Sequence, residues 1–105
     1  MIQKFLDIPE KEIFEGLRAR FIHTSTITIG HVSIDKGAEL PEHYHIHEQI
    51  TYIVDGELEM TIDGQTSILQ AGMSAVIPSN IKHSAKAITS CKVIDTFSPV
   101  REDYK

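Results

Sequence analysis

The sequence predicts an all-β protein, either a sandwich or a barrel. Short segments in which apolar and polar residues alternate are separated along the chain by turn-forming residues. Two Asp-Gly pairs, at 55–56 and 63–64, enclose the strictly alternating segment 57–62. An Asp-Gly pair between alternating segments is a strong signal for a β-hairpin. No long helical pattern competes with these strands.

Strands are expected along most of the chain. They are predicted at 17–22, 24–34, 49–54, 57–62, 66–69, 74–77, 83–87 and 91–97, where Val, Ile and Thr favour extended structure. Before the first strand, Asp7 is expected to cap a short helical turn that has Pro9 in its first turn, with Gly16 ending it. Residues 38–42, which include Pro41, are expected to form a loop, and residues 101–105 a polar tail.

Length and composition limit the class of protein. The 105 residues suffice for one domain, so we expect a single domain over 1–105 with a core barrel at about 17–98. A net charge of −5 argues against nucleic acid, which needs a basic face. The one cysteine, Cys91, excludes an internal disulfide and fits a reducing compartment. Neither a signal peptide nor a membrane span is recognisable, so the expected location is cytoplasmic.

A cluster of histidines lies near the middle of the chain. His43, His45 and His47 occupy alternate positions, and Gln49 follows on the same parity. In an extended strand, alternate side chains point to one face. These residues are therefore expected to converge on one spot. Because imidazole nitrogen is a ligand for zinc, copper, iron and nickel, the segment predicts a metal site.

A second segment completes a recognisable pattern. The two segments together resemble the two-part signature of the cupin superfamily, which is matched in spacing by Gly37, His43, His45, Gln49 and Gly56 and then by Gly72, Pro78 and His83. The resemblance implies a jelly-roll barrel, the double-stranded β-helix of the RmlC-like cupins. It also implies a divalent transition metal held by His43, His45, Gln49 and His83. Nickel, zinc, iron and manganese remain open as the metal.

The chain departs from the cupin pattern at three positions. The usual glutamate ligand is Gln49, the usual glycine after the proline is Asn80, and the asparagine that often follows the last histidine is Ala87. Asn80 tolerates left-handed backbone geometry. A neutral amide leaves the metal its full charge, which favours an anionic substrate. His47 exceeds the familiar four-ligand set, so we expect it at the pocket rim or behind the ligands.

The C-terminal segment narrows the resemblance. Residues 95–104 and 49–54 look like those of small cupins associated with pectin and alginate breakdown, which open and ketonise 4,5-unsaturated uronate monosaccharides left by polysaccharide lyases. The resemblance implies an isomerase that acts on a sugar acid. It gives Asp95 the acid/base role, lets Phe97 shape the pocket and contact the sugar, and directs Arg101 to the sugar carboxylate.

The residues support these roles independently. Val93, Asp95 and Phe97 share one strand face, and the apolar pair indicates that this face is inward. Arginine forms bidentate pairs with carboxylates, and every uronate has one. The alternatives are a structural aspartate at a strand end, a register in which Asp95 faces solvent, and a solvated Arg101 that pairs with Glu102 or Asp103.

Two other functions remain open. A small cupin oxygenase would consume O₂, although the neutral Gln49 disfavours it, and a non-catalytic sugar- or metal-binding module would bind without turnover. Pectin-derived and alginate-derived substrates are not separated by the sequence. Apolar residues on the strand face opposite Gln49, namely Ile50, Tyr52 and Val54, favour a homodimer.

Overall fold

The structure is a computed structural model that describes all 105 residues. Two short 3₁₀ helices, Phe5–Asp7 and Glu102–Tyr104, lie near the chain ends. Between them run the strands β1 (Lys11–Phe14), β2 (Leu17–His23), β3 (Thr28–Ile34), β4 (Glu39–His43), β5 (Glu48–Asp55), β6 (Glu57–Ile62), β7 (Gln65–Gln70), β8 (Ser74–Ile77), β9 (His83–Ala87) and β10 (Cys91–Ser98). No helix has the length and apolar character needed to cross a membrane.

The strands form two antiparallel sheets. One sheet has six strands in the order β1-β2-β3-β10-β5-β8, and the other has four in the order β4-β9-β6-β7. From β3 onward the chain passes repeatedly from one sheet to the other, as in a jelly roll. The predicted all-β jelly-roll barrel is confirmed. Because strands distant in sequence become neighbours, residues from the middle and the end of the chain share one interior.

The core lies between the two sheets and follows the two-residue period of the strands. Alternate residues of β3 are buried, and Ile53 of β5 and Ile77 of β8 have no exposed surface. Removing such apolar side chains from water is the main stabilising contribution to a fold of this size. The predicted Asp-Gly turn after β5 is also well defined. Gly56 has a φ of +90°, and a Cβ there would lie 2.2 Å from the carbonyl oxygen of Ser90.

The N-terminal prediction was wrong in its main element. Asp7 ends a 3₁₀ turn rather than capping a helix, and the residues that follow Pro9 form the strand β1. A two-residue turn with Gly16 at φ +79° folds β1 back onto β2. Ile13 packs against the hydrophobic core from this hairpin. Pairing with β2 therefore outweighs the local helix signal.

The histidine segment is also not one continuous strand. Residues 39–43, expected largely as a loop, form β4 at the edge of the four-stranded sheet, where the pairing register shifts between Leu40 and His43 around Pro41. Proline is tolerated at such edges and bulges. Residues 44–47 then cross to the six-stranded sheet and have no strand structure. The alternation of the histidines therefore spans the crossing between two sheets.

Two smaller differences concern strand ends. The strand predicted from residue 24 begins at Thr28, because the hydroxyl of Thr24 accepts hydrogen bonds from the backbone N–H groups of Thr26 and Ile27 and holds a turn. At the other end, the predicted polar tail is partly interior. Arg101 is only 7% exposed, and Tyr104 packs against the core.

Candidate active site

Three histidines meet at one end of the barrel. His43 and His83 lie opposite each other on β4 and β9, and their ring centroids are 4.2 Å apart. His45 comes from the crossing segment, with its ring centroid 5.0 Å from that of His83. The potential ligand atoms of all three lie within 4.8 Å of one another. The structure therefore brings together the three predicted histidines.

The crossing segment is fixed by the proline corner of the second motif. The backbone N–H of Asn80 donates to the carbonyl oxygen of His45 over 2.8 Å. Asn80 has a φ of +64°, the left-handed conformation expected where the cupin motif usually has glycine. The two halves of the motif are thus joined directly, and His45 is held in place without strand pairing.

Each of the three histidines is oriented by a backbone carbonyl. The Nδ1 atoms of His43, His45 and His83 lie 2.9, 3.0 and 2.9 Å from carbonyl oxygens of Pro41, His47 and Ile81, respectively. A carbonyl oxygen only accepts hydrogen bonds, so each Nδ1 must carry the proton. The neutral ring then has its lone pair on Nε2. This arrangement is typical of histidines that ligate metals.

The free nitrogens fit a metal ion. His83 is only 1% exposed, and its Nε2 is buried without a hydrogen-bond partner. Buried polar atoms are nearly always satisfied, so an orphaned imidazole nitrogen is informative. Burial lowers the pKa of His83. Burial and then the charge of Arg101 lower the pKa of His45 to about 4. The rings of His45 and His83 are therefore neutral near pH 7, as ligands must be.

Gln49 adds an oxygen to the cluster. Its Oε1 lies 3.1 Å from Nε2 of His45, and its side chain is buried. Since Nδ1 of His45 carries the proton of the neutral ring, both of these atoms present lone pairs. Two facing lone pairs are stabilised when they share a cation. The four predicted ligand residues thus offer three nitrogens and one oxygen to a divalent transition metal.

Asp95 lies inside the barrel, as the strand parity predicts. It is opposite Thr51 in the pairing of β10 with β5, and the Thr51 hydroxyl donates to Oδ1 of Asp95 over 2.7 Å. Nε2 of Gln49 donates to the Thr51 hydroxyl over 2.9 Å and lies 3.4 Å from Asp95 Oδ1. Burial raises the pKa of Asp95 to about 6, although these hydrogen bonds and Arg101 oppose the shift.

Arg101 is buried beside this interior, and its charge is already paired. Its guanidinium donates from Nε and Nη2 to the two carboxylate oxygens of Asp103 over 3.0 and 2.7 Å. The guanidinium carbon lies 4.7 Å from the ring centroid of Phe97 and 4.0 Å from that of Tyr104. Arg101 is therefore an interior residue held by the neighbouring acid that was the alternative partner in the sequence. Asp103 engages Nε and Nη2 and leaves Nη1 outside this pair.

Phe97, which is predicted to shape the pocket and contact the sugar, is almost fully buried. It is 4% exposed, with its ring centroid 5.8 Å from that of His45 and under the guanidinium of Arg101. It lines a cavity of about 40 Å³ together with Gln49 and Asp95. Such a cavity has room for about one water molecule. The cavity is therefore too small to enclose a sugar ring.

His47 stays outside the three-histidine cluster. Its ring centroid is 5.4 Å from that of His45 and 6.4 Å from that of Phe97, so it lies beside the cluster without joining it. Burial lowers its pKa, with Arg101 adding to the shift, and its Nδ1 has no partner. A larger groove of about 380 Å³ elsewhere has Asp63 as its one charged lining residue and does not include the cluster.

Sequence reasoning missed three residues of the site. Thr51 shares the inward parity of Gln49 on β5, which was the signal available for it. Asp103 was considered only as the partner of a solvated Arg101, and Tyr104 was placed in the polar tail. All three act on residues that were predicted, rather than replacing them.

Comparison with known proteins agrees with the site. The Cupin domain family matches residues 30–97, which contain both histidine segments. Pectin degradation protein KdgF of Dickeya dadantii (strain 3937) is 34% identical over 109 residues, covering 99% of each chain. This chain is a cupin of the KdgF type. The family recognised from the two motifs and the C-terminal segment is confirmed.

Solved structures place the whole chain in the same fold. The KdgF structure from a Halomonas species is 31% identical, with a TM-score of 0.89, and the match covers 95% of this chain and 94% of that one. An RmlC-like cupin from Shewanella frigidimarina NCIMB 400 is 34% identical, with a TM-score of 0.93, and the match covers 98% and 94%. The KdgF-type assignment thus extends beyond the motif region to both chain ends.

Proposed function

We propose that this KdgF-type cupin opens and ketonises 4,5-unsaturated uronate monosaccharides, the products of pectin or alginate lyases. The observation that carries the proposal is the position of the Asp95 carboxylate inside the barrel. The Thr51 hydroxyl bridges it to Gln49, which lies beside the three-histidine cluster. Burying an aspartate costs several kcal/mol unless it is compensated, so a position beside this cluster favours a chemical role. The Dickeya relative is named for pectin degradation.

Binding of the sugar would use the mouth of the barrel. Asp103 pairs with Nε and Nη2 of Arg101, so Nη1 would be the guanidinium nitrogen that donates to the sugar carboxylate. The Phe97 ring packs against the guanidinium and would limit how deeply the sugar ring enters the barrel. The sugar would then lie between the histidine segment and the C-terminal turn, with its ring atoms toward Asp95.

The reaction needs one proton removed and one delivered. Loss of the proton from the anomeric hydroxyl breaks the bond between the anomeric carbon and the ring oxygen, leaving an aldehyde and an enolate. Protonation of the alkene carbon then gives the ketone, so the product is an isomer of the substrate. A raised pKa makes Asp95 suited to both transfers near neutral pH. The pair of transfers leaves Asp95 in its starting state.

The metal belongs to this proposal as a resident ion. His43, His45, His83 and Gln49 would hold it, through Nε2 of each histidine and Oε1 of the amide. When bound, a divalent metal supplies a Lewis acid that stabilises negative charge developing on a sugar oxygen. The chain's own part is to keep the histidines neutral, orient the amide and hold Asp95 close by.

The assembly and location complete the proposal. The outer face of the six-stranded sheet exposes Ile50, Tyr52, Val54 and Val76, each with 44–65% of its surface accessible. We propose that a second copy covers this face in a homodimer. The buried Cys91 thiol and the absence of other cysteines fit the reducing cytoplasm, where monosaccharides from the lyases would be converted.

The experiment supplies the purified protein with the monosaccharide product of a pectate or alginate lyase under argon and in air. Ring opening predicts loss of the alkene absorbance without change in mass, at equal rates in both atmospheres. Oxygen uptake with a heavier product would instead indicate the oxygenase, and binding of the sugar without turnover would indicate a non-catalytic module. Running both lyase products in parallel separates the two substrate sources.

A further inference from the structure

Gln49, Thr51 and Asp95 form a chain of hydrogen bonds in which every donor points toward Asp95. Gln49 Nε2 donates to the Thr51 hydroxyl over 2.9 Å, and that hydroxyl donates to Asp95 Oδ1 over 2.7 Å. Thr51 is only 2% exposed, and Asp95 lies opposite it on β10. The Thr51 hydroxyl is therefore shielded from bulk solvent, with one hydrogen-bond partner on each side of it.

The chemistry of Asp95 sets the direction. An ionised carboxylate only accepts hydrogen bonds, so the single proton of Thr51 must go to it. The lone pairs of Thr51 are then left for a donor, and only the NH₂ end of the Gln49 amide can provide one. The carbonyl oxygen of Gln49 is consequently turned toward His45, where it lies 3.1 Å from Nε2.

We infer that Thr51 couples the identities of residues 49 and 95, so that an aspartate at 95 requires an amide rather than a carboxylate at 49. The inference deepens the proposed function and rests on it for the roles of both end residues. With a glutamate at 49, Thr51 would face two acceptors and could satisfy one. The second carboxylate would be buried without a donor, which is costly. The departure from the usual cupin glutamate is thus explained by Asp95.

The coupling has a testable consequence, because exchanging the amide and the carboxylate between positions 49 and 95 reverses the direction of the hydrogen bonds. If position 49 carries a carboxylate and position 95 an amide, the amide donates to Thr51, and Thr51 donates to the carboxylate. The double substitution Gln49→Glu/Asp95→Asn therefore restores every hydrogen bond that Gln49→Glu alone removes. It abolishes the proposed acid/base, so activity is not the readout.

The first experiment compares thermal unfolding of the metal-free protein at pH 8 for the wild type, both single variants and the double variant. We expect Gln49→Glu to lower the melting temperature by about 5 °C or more. In the Asp95→Asn background, the same change should cost less than half as much. An equal cost in both backgrounds would overturn the coupling. If Gln49→Glu alone fails to fold, folding of the double variant supports the chain, and its failure to fold contradicts it.

The second experiment tests the hydroxyl itself. Thr51→Val keeps the shape of the side chain and removes the hydroxyl, whereas Thr51→Ser keeps the hydroxyl. In competition of the protein with a chelator for Zn²⁺ or Ni²⁺, Thr51→Val should weaken metal binding by about 10- to 100-fold, as for residues that orient metal ligands. Thr51→Ser should stay close to the wild type. Equal affinities of the two variants would remove Thr51 from the account.

Neither experiment involves turnover, so its outcome is separable from the proposed function. If the variants at Gln49, Thr51 and Asp95 behave as expected and no unsaturated uronate is converted, the proposed reaction fails and the coupling stands. If the uronate is converted and the variants show no coupling, Gln49 and Asp95 act independently of Thr51.

Discussion

His43 and His83 lie opposite each other on β4 and β9, with ring centroids 4.2 Å apart, although they are forty residues apart in the chain. Each ring is anchored by its Nδ1 to a carbonyl two residues earlier, Pro41 for one and Ile81 for the other. The pairing of an edge strand with its neighbour thus presents two imidazole nitrogens side by side. His45 and Gln49 complete the cluster from the six-stranded side.

Metal content tests this cluster directly. The double substitution His45→Ala/His83→Ala removes two of the three nitrogens, so purified variant protein should lose its bound metal, whereas the wild type should hold about one ion per chain. Inductively coupled plasma mass spectrometry measures both. The matched control, His23→Ala/His31→Ala, also removes two histidines but leaves the cluster intact. Retention of stoichiometric metal by the cluster variant would show that the ligands lie elsewhere.

The stability of the metal-free protein should carry a pH signature of Asp95. Its pKa is raised from 3.8 to about 6, so the folded state binds the proton more tightly than the unfolded state does. The contribution of this group is fully present below about pH 4 and is lost as pH rises through 6. His45, with its pKa lowered to about 4, has the opposite slope between pH 4 and 6.5.

Substitution Asp95→Asn separates these opposing effects. The free energy of unfolding of the wild type, relative to Asp95→Asn, should fall by roughly 3 kcal/mol between pH 4 and 7. Urea unfolding at half-unit pH intervals gives this difference, and the His45 contribution cancels because both proteins contain it. A flat difference across that range would mean that the Asp95 carboxyl has an ordinary pKa in the folded protein.

Arg101 should control substrate binding more than the chemical step. Arg101→Lys keeps a positive charge but loses the planar group that stacks between Phe97 and Tyr104 and forks onto Asp103. We expect KM to rise about tenfold or more, since a hydrogen bond to a charged group contributes about 1.5–3 kcal/mol. The value of kcat should change little. Lys105→Gln, which removes an exposed charge from the same turn, serves as the control, and an equal effect there would point to general electrostatics.

The homodimer can be tested on the outer face of the six-stranded sheet. Tyr52→Glu/Val76→Glu places two charges on neighbouring strands of this face. Burying them in an interface is unfavourable, so the variant should be a monomer where the wild type is a dimer. Light scattering coupled to size-exclusion chromatography measures the mass. Ile68→Glu, on an exposed position of the other sheet, should leave the dimer intact. A monomeric wild type would reject the proposal.

Sequence reasoning succeeded where a strong local signal agreed with the final pairing. The segment Glu57–Ile62 was found with its bounds because Asp-Gly turns enclose it and its alternation matches a half-buried strand. The inward direction of Asp95 followed from its parity with Val93 and Phe97, which are both buried. The four ligand candidates followed from motif spacing, and the fold confirmed that three of them meet.

It failed where tertiary pairing decides the local structure. Residues 7–12 have a plausible helix start, but pairing with β2 makes residues 11–14 a strand. His43, His45 and His47 alternate as if in one strand, but His43 ends β4, and His45 and His47 lie in the crossing segment outside any strand. The pair of Arg101 with Asp103 is local, but the packing of its guanidinium against Phe97 and Tyr104 depends on the fold. No periodicity in the sequence records such contacts.

The central claim is that Asp95 transfers the protons of sugar ring opening. Its most direct test follows the ring form of the unsaturated uronate by NMR in the presence of wild-type protein, Asp95→Asn, and no protein. The account predicts faster loss of the ring form with the wild type, a rate indistinguishable from the spontaneous one with Asp95→Asn, and equal metal content in the two proteins. An Asp95→Asn variant that accelerates ring opening as the wild type does would contradict it.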